Sequence, residues 1–221
     1  MNDYTFSNCF RSTGDLRVDD VVFFLRLMKD TLSIHEFFDC DGRTVDLNHE
    51  DVSSLLSAAV VPTIGANVDL FSKPPNDKDP DTMCFPLHTG AEPNEIIIDF
   101  MNAEVGPRTL EVCCVESIIT HLDPFESYIS EYSNWKRLNV HNRECDARGF
   151  TRPVVIHGIH YFDCKMAEEL GGMGHCLNVP AWKVHEIGNG VLIQLVAEPF
   201  DSENAEHLAA QHDAMSYFGM V

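Results

Sequence analysis

The chain has 221 residues, of which 44% are hydrophobic, so it can bury a core without a metal or a disulfide to hold it together. Its 35 acidic residues outnumber 15 basic ones and give a formal net charge of −20. A field of this sign repels phosphate backbones and anionic lipid and attracts basic proteins. We therefore expect a partner that is a basic protein, and neither nucleic-acid nor membrane binding.

Helical patterns dominate the first part of the chain. A first helix is predicted from about Asp15 to Leu32, with acidic residues in its early turns and basic residues later, as the helix dipole favours. A second helix is predicted from about Glu50 to Val60, with Asn48 as a candidate N-cap. Residues 72–94 are rich in Pro and Asp and indicate a long surface loop.

Two strands and a capped helix are predicted next. Glu95–Phe100 and Thr109–Ile119 are apolar segments on either side of the turn signal Gly106-Pro107, which favours an antiparallel pair. The sequence Asp123-Pro124-Phe125-Glu126 has the residues of a capping box, with Asp at the N-cap, Pro at the first helical position and Glu two positions later. It predicts a helix that continues to about Leu138.

The C-terminal part completes an α+β pattern. Its predicted elements are a buried strand at Pro153–His157, a short helix capped by Asp163 and ending at Leu170, a hairpin of Trp182–Ile187 and Val191–Ala197, and a helix from Glu203 to Phe218 capped by Asp201 or Ser202. Strands and helices do not alternate regularly, so we predict one domain over residues 1–221, with a mainly antiparallel sheet and flanking helices.

The sequence offers little support for catalysis. His157, His160 and Asp163 are suitable metal ligands by type, but residues three apart on a strand point to opposite faces unless Gly158 forms a bulge. Cys176 follows His175 directly, and adjacency in sequence does not make a catalytic pair. We therefore expect no enzyme activity and no cofactor, and a metal-dependent hydrolase using those three residues is kept as an alternative.

Two acidic clusters are the candidate partner-binding residues. Their members are Asp39, Asp41 and Asp46 in the first cluster and Glu198, Asp201, Glu203 and Glu206 in the second. The second cluster falls within residues 184–221, which contain six acids and no Lys or Arg. Such residues are suited to a basic partner, although acids in a first helical turn also complement the helix dipole.

Several C-terminal segments carry a family resemblance. They are Arg152-Pro153-Val154-Val155-Ile156-His157-Gly158-Ile159-His160-Tyr161-Phe162-Asp163, Gly171-Gly172, Pro180-Ala181-Trp182, Gly190-Val191-Leu192-Ile193-Gln194-Leu195, and the run from Glu198 to Leu208. Together they resemble the immunity protein 52 family of bacterial polymorphic-toxin and type VI secretion systems. The resemblance covers about residues 150–220 and is looser over 1–140.

The resemblance implies a protein-binding role and no catalytic activity. Proteins of this family sit in the producing cell and bind a cognate toxin, often a nuclease, and no catalytic residues come with the family. An acidic protein could occlude the basic cleft of a nuclease by placing carboxylates where phosphates would lie. An acidic adaptor or chaperone of a secretion system is the other alternative.

The first residues contain no basic segment followed by an apolar run, so we expect a cytoplasmic protein.

Overall fold

The computed structural model describes residues 4–10, 17–58, 60–61, 65–75, 82–89, 94–100, 115–147 and 155–221. The chain divides into two compact units, of which unit 1 includes Phe6–Pro124 and unit 2 includes Phe125–Val221. Strand β1 (Tyr4–Phe10) has residues in both units. No helix in the described ranges is long and apolar enough to cross a membrane.

In its described residues, unit 1 combines three helices with antiparallel strands. Its elements are α1 (Val18–Thr31), β2 (Phe37–Phe38), β3 (Thr44–Val45), α2 (His49–Ala58), β4 (Val60–Val61), β5 (Gly65–Phe71), β6 (Cys84–Thr89), β7 (Asn94–Phe100) and α3 (Val115–Leu122). Strand β5 pairs with β2, β4 and β6, and β6 also pairs with β7. Strand β3 pairs with β2, and every one of these pairings is antiparallel.

The core of unit 1 follows from the spacing of its apolar residues. Helix α1 buries Val21, Leu25 and Met28, which recur at three and four residues and therefore share one helix face. In β6, Phe85 and Leu87 are buried at a spacing of two, as expected for one face of a strand. The ring of Phe85 meets Phe37 edge to face, with 5.1 Å between centroids.

In unit 2, helices pack on four described strands that pair antiparallel in the order β10-β11-β9-β8. Its elements are β8 (Glu126–Glu131), α4 (Tyr132–Ala147), β9 (Ile159–Asp163), α5 (Cys164–Glu169), α6 (Met173–Cys176), β10 (Lys183–Ile187), β11 (Gly190–Gln194) and α7 (Ala205–Tyr217). One core joins sheet residues such as Phe162 and Ile193 to helix residues such as Ala167, Ala214 and Met215.

The predicted α+β class is confirmed, and so are most of the helices. Helices α1 and α2 lie where they were expected, and the Asn48 side chain accepts a hydrogen bond from the Asp51 amide at 2.9 Å. Asp163 caps α5 by accepting from the Met166 amide. The N-cap of α7 is Asn204, so the prediction of Asp201 or Ser202 is corrected. The prediction of one domain over 1–221 stays a prediction.

The hairpin of unit 2 is as predicted, whereas the strand predicted before it is shifted. Strands β10 and β11 pair from Lys183↔Gln194 to Ile187↔Gly190, with the turn at Gly188-Asn189. The buried segment predicted at Pro153–His157 is shifted, because the strand begins at Ile159. Residues 155–157 are buried but irregular, and 153–154 lie outside the described residues.

Two predicted elements were assigned the wrong structure. Residues 115–119 are helical, not a strand, while 109–114 and the turn Gly106-Pro107 lie outside the described residues. The capping box at Asp123–Glu126 does not start a helix, because Glu126–Glu131 is strand β8. The helix starts at Tyr132, eight residues after the predicted start at Pro124, and there the Glu131 carboxylate accepts from the amides of Ser133 (2.8 Å) and Asn134 (3.0 Å).

The surface loop predicted at 72–94 is shorter than expected. Its second half contains β6, whose alternating pattern was masked in the sequence by Pro86 and by the Pro- and Asp-rich residues before it. Segments 76–81 and 90–93 lie outside the described residues.

Candidate functional site

The first acidic cluster lies on the β2–β3 hairpin of unit 1. The Asp39 carboxylate accepts from the amides of Asp41 (3.0 Å) and Arg43 (2.8 Å), and Gly42 adopts a positive φ of 77°. Asp39 therefore builds the turn, as an Asx motif does. The exposed Asp41 carboxylate lies 3.4 Å from the Arg43 guanidinium, and such an exposed pair contributes little to stability.

The loop that follows the hairpin is tied to helix α1. Arg26 donates from Nε (3.1 Å) and Nη2 (2.6 Å) to the Leu47 carbonyl. The neighbouring Asp46 is exposed. Asp41 and Asp46 are thus held on ordered backbone with their carboxylates towards solvent. The Asp39 carboxylate, in contrast, accepts hydrogen bonds from the turn.

The second acidic cluster lies in unit 2, on the approach to α7. Asp201 accepts from the Glu203 amide at 2.9 Å, and its own amide donates to His207 Nδ1 at 3.0 Å. Asn204 accepts from the Glu206 amide at 2.9 Å. These bonds fix the backbone of the loop and leave Glu203 and Glu206 exposed, as is Glu198 a few residues earlier.

The structure therefore divides the seven predicted partner-binding acids into two kinds. Asp39 and Asp201 are structural, because the carboxylate of each accepts a hydrogen bond from a backbone amide of its own turn. The exposed carboxylates are those of Asp41, Asp46, Glu198, Glu203 and Glu206. The first cluster belongs to unit 1 and the second to unit 2.

The predicted metal-ligand set is found in a buried histidine cluster of unit 2. The His157 amide donates to His160 Nδ1 at 3.1 Å, which requires that nitrogen to be unprotonated. The other ring nitrogen, Nε2, then carries the proton and donates to Glu126 Oε1 at 2.7 Å. His160 is therefore a neutral ring with both nitrogens engaged, and its fully buried side chain has no lone pair left for a metal.

The other two candidate metal ligands, His157 and Asp163, make contacts of other kinds. The His157 ring stacks on Tyr128, with 4.1 Å between centroids and 16° between planes, and the Asp163 carboxylate caps helix α5. Burial is the main cause that holds the pKa of His157 well below its ordinary value of 6.5. Within the described ranges, no three His, Cys, Asp or Glu side chains are grouped as metal ligands would be.

Cys176 and His175 do not form a nucleophile pair. The Cys176 thiol is buried and donates to the Ala167 carbonyl at 3.7 Å, and burial raises its pKa to about 11. A thiol with this pKa is protonated at neutral pH and is a poor nucleophile. The Tyr217 hydroxyl lies 3.1 Å from His175 Nδ1, so the ring serves the packing of α6 on α7.

Sequence reasoning missed the partners of the histidines and a polar chain between α4 and α7. Glu126 and Tyr128 contact His160 and His157 from the neighbouring strand. The alternation of β8 could have suggested this strand, but the capping-box pattern that overlaps it favoured a helix. The polar chain joins Arg137 to Gln211, residues too far apart in sequence for any local signal.

No family model matches the chain, and no curated protein matches it. Among solved structures, it is similar to the Pseudomonas aeruginosa T6SS protein PA0821, with a TM-score of 0.60 and 11% sequence identity. The alignment covers 99% of this chain and 73% of that chain. At this identity the likeness shows a shared fold.

Proposed function

We propose that this protein is a type VI secretion immunity protein, which binds a cognate toxin and neutralises it by occluding a basic active-site cleft. The observation that carries the proposal is the set of exposed carboxylates held on hydrogen-bonded turns in a chain of net charge −20. Two further observations support it. One is the resemblance of residues 150–220 to the immunity protein 52 family, and the other is the fold shared with a T6SS protein.

The toxin class follows from charge complementarity. A nuclease cleft is basic because it must hold phosphates, and carboxylates on ordered backbone can take the place of those phosphates without a large entropy cost. Electrostatic attraction would raise the association rate by roughly 10- to 1000-fold. Binding of this kind requires no catalytic residue and no cofactor, and it would take place in the cytoplasm of the producing cell.

The first test is a titration of the purified chain against the product of the open reading frame that neighbours its gene. We expect a 1:1 complex with a Kd well below about 1 µM. The absence of any complex at low micromolar concentration would overturn the proposal.

A matched pair of variants tests the acidic surface itself. The triple variant Glu198→Gln/Glu203→Gln/Glu206→Gln removes three exposed carboxylates next to α7. The control Glu168→Gln/Glu169→Gln/Glu186→Gln removes three exposed carboxylates elsewhere in unit 2, so the change in net charge is equal. We expect the first to weaken toxin binding by about 10-fold or more and the control by about 2-fold. Equal weakening would mean that these three residues do not form the contact surface.

An acidic adaptor of a secretion system is the second candidate, and the shared fold with a T6SS protein favours it equally. The two differ in selectivity. An adaptor would bind several secreted proteins at similar micromolar Kd, whereas an immunity protein binds one toxin far more tightly than any other. Titrating the chain against the cognate toxin and two unrelated secreted proteins separates them.

A further inference from the structure

A pocket of about 240 Å³ opens between helices α4 and α7 of unit 2. Its lining residues are Arg137, Leu138 and His141 from α4, Leu208, Gln211, His212 and Met215 from α7, and Val221. This pocket contains none of the acids proposed to contact a toxin, although the chain has more than two acidic residues for every basic one. The pocket therefore contains a basic side chain and no Asp or Glu, whereas the two acidic clusters consist of carboxylates.

Arg137 is the one Arg or Lys among the lining residues of the pocket, and neutral oxygens hold it in place. Its Nη2 donates to Asn134 Oδ1 at 2.7 Å and to Gln211 Oε1. Among the described residues no carboxylate pairs with the guanidinium, and burial against these amides lowers the pKa of Arg137. The side chain as a whole remains exposed, so a ligand can reach it.

Both amides that hold Arg137 are buried, and that of Gln211 is fixed by a further hydrogen bond. Gln211 is 1% exposed, and its Nε2 donates to the Ile156 carbonyl at 2.6 Å, so its Oε1 must face Arg137. Asn134 is fully buried. Both protons of Nη2 are used by these contacts, while Nη1 and Nε donate to no described residue. A preorganised cation with unused donors is suited to an anionic ligand, because the cost of orienting it is already met by the fold.

The remaining lining combines the rings of His141 and His212 with an apolar wall, and that wall indicates what the rest of the ligand should be. Leu138, Leu208 and Met215 present hydrocarbon next to the single guanidinium. One formal positive charge matches a carboxylate better than a phosphate, which carries nearly two negative charges near neutral pH. The apolar walls favour a short aliphatic group attached to it.

We propose that the pocket between α4 and α7 binds a small organic carboxylate, with Arg137 pairing its charge and Leu138, Leu208 and Met215 holding its aliphatic group. The Asn134 and Gln211 amides keep the guanidinium in position. The site is independent of toxin binding, because none of its residues belongs to either acidic cluster.

Titration calorimetry with 4-methylpentanoate tests this site on the full chain. We expect saturable binding with a Kd of about 1 mM, no binding of the uncharged 4-methylpentanamide, and phosphate binding at least about 10-fold weaker. Saturable binding of the amide, or phosphate binding as tight as that of the carboxylate, would overturn the proposal. So would the absence of saturable binding up to about 20 mM.

Variants locate the binding. Arg137→Gln should abolish it, whereas Arg143→Gln, at an exposed position on the same helix, should leave the Kd unchanged. If Arg137→Gln does not fold, Leu208→Trp offers a second route, because it fills the pocket without touching the hydrogen bonds of Arg137 and should also abolish binding. Unchanged binding in a folded Arg137→Gln or Leu208→Trp protein would contradict the assignment.

Discussion

At the scale of single residues, His157 is a buried titratable group whose protonated form the fold does not accommodate. It is 4% exposed and stacked on Tyr128, and its Nδ1 has no hydrogen-bond partner in the described structure. An unsatisfied buried nitrogen costs roughly 1–3 kcal/mol, and a buried imidazolium would cost more. The fold therefore keeps this ring neutral.

This environment predicts a pH dependence of stability. Because the pKa of His157 is lowered in the folded state from 6.5, the unfolded chain binds the proton more readily. The free energy of unfolding should be constant with respect to this group above about pH 7 and fall as the pH drops through about 6.5 and below. Both tryptophans lie in unit 2, so urea unfolding followed by their fluorescence reports on the relevant unit.

The substitution His157→Phe keeps an aromatic ring against Tyr128 and removes the titration. It should flatten the loss of stability between about pH 6.5 and pH 5, while His212→Gln, at an exposed position, should leave that loss unchanged. A His157→Phe protein with the same pH profile as the parent chain would show that another group is responsible.

A single substitution at Gly190 tests the packing of strand β11. A Cβ at this position would lie 2.0 Å from the Phe162 carbonyl oxygen and 2.8 Å from Asp163 Cα, and backbone atoms cannot move aside as a side chain can. Gly190→Ala should therefore lower the free energy of unfolding of unit 2 by about 2 kcal/mol or more. Gly174→Ala is the matched control, since open space surrounds its Cβ and the helix gains about 0.5–1 kcal/mol. Equal urea midpoints for the two variants would contradict the strand register.

At the scale of elements, local signals were reliable where the partners of a side chain are close in sequence. Asn48 and Asp163 cap α2 and α5 through residues three positions away, and the pattern reveals both. The capping box at Asp123 failed because Glu126 is bound instead by His160, 34 residues away. A contact of that range has no local signature, so β8 was predicted as a helix. For the candidate site, composition located the acids but could not separate the turn-forming Asp39 and Asp201 from the exposed ones.

The true start of α4 gives a prediction at the element scale. Glu131 is 3% exposed, and its carboxylate satisfies two amides of the first turn and complements the helix dipole. Glu131→Ala should lower the free energy of unfolding by about 1–2 kcal/mol. Asp123→Gly should have almost no effect, because Asp123 starts no helix, and its φ of 48° at the C-terminal end of α3 suits glycine. If Asp123→Gly were the more harmful change in urea titrations, the capping box would be real and the position of α4 wrong.

At the scale of the whole molecule, the charge is the property that the proposed function uses. It is spread along the sequence, with 19 acids and 8 bases in residues 1–110 and 16 acids and 7 bases in residues 111–221. Both halves of the chain therefore contribute to the field that a partner meets before contact. Steering by such a field weakens when salt shortens its range, from about 10 Å at 0.1 M to about 3 Å at 1 M.

The association rate of the chain with its toxin should therefore depend on the salt concentration. Raising the salt concentration from about 50 mM to about 500 mM should slow association by about 10-fold or more and change dissociation much less. Stopped-flow measurements on the parent chain provide both rates. An association rate that does not respond to salt would mean that the charge serves solubility and not partner capture.

The most direct test of the central claim is protection of cells from the proposed cognate toxin, with the product of the neighbouring open reading frame as the candidate. Cells that express the toxin should stop growing, and co-expression of this chain at equal or higher level should restore growth to that of cells without toxin. An unrelated acidic protein of similar size and charge, expressed at the same level, should give no protection. Continued growth arrest in cells that contain both the folded chain and the toxin would contradict the account.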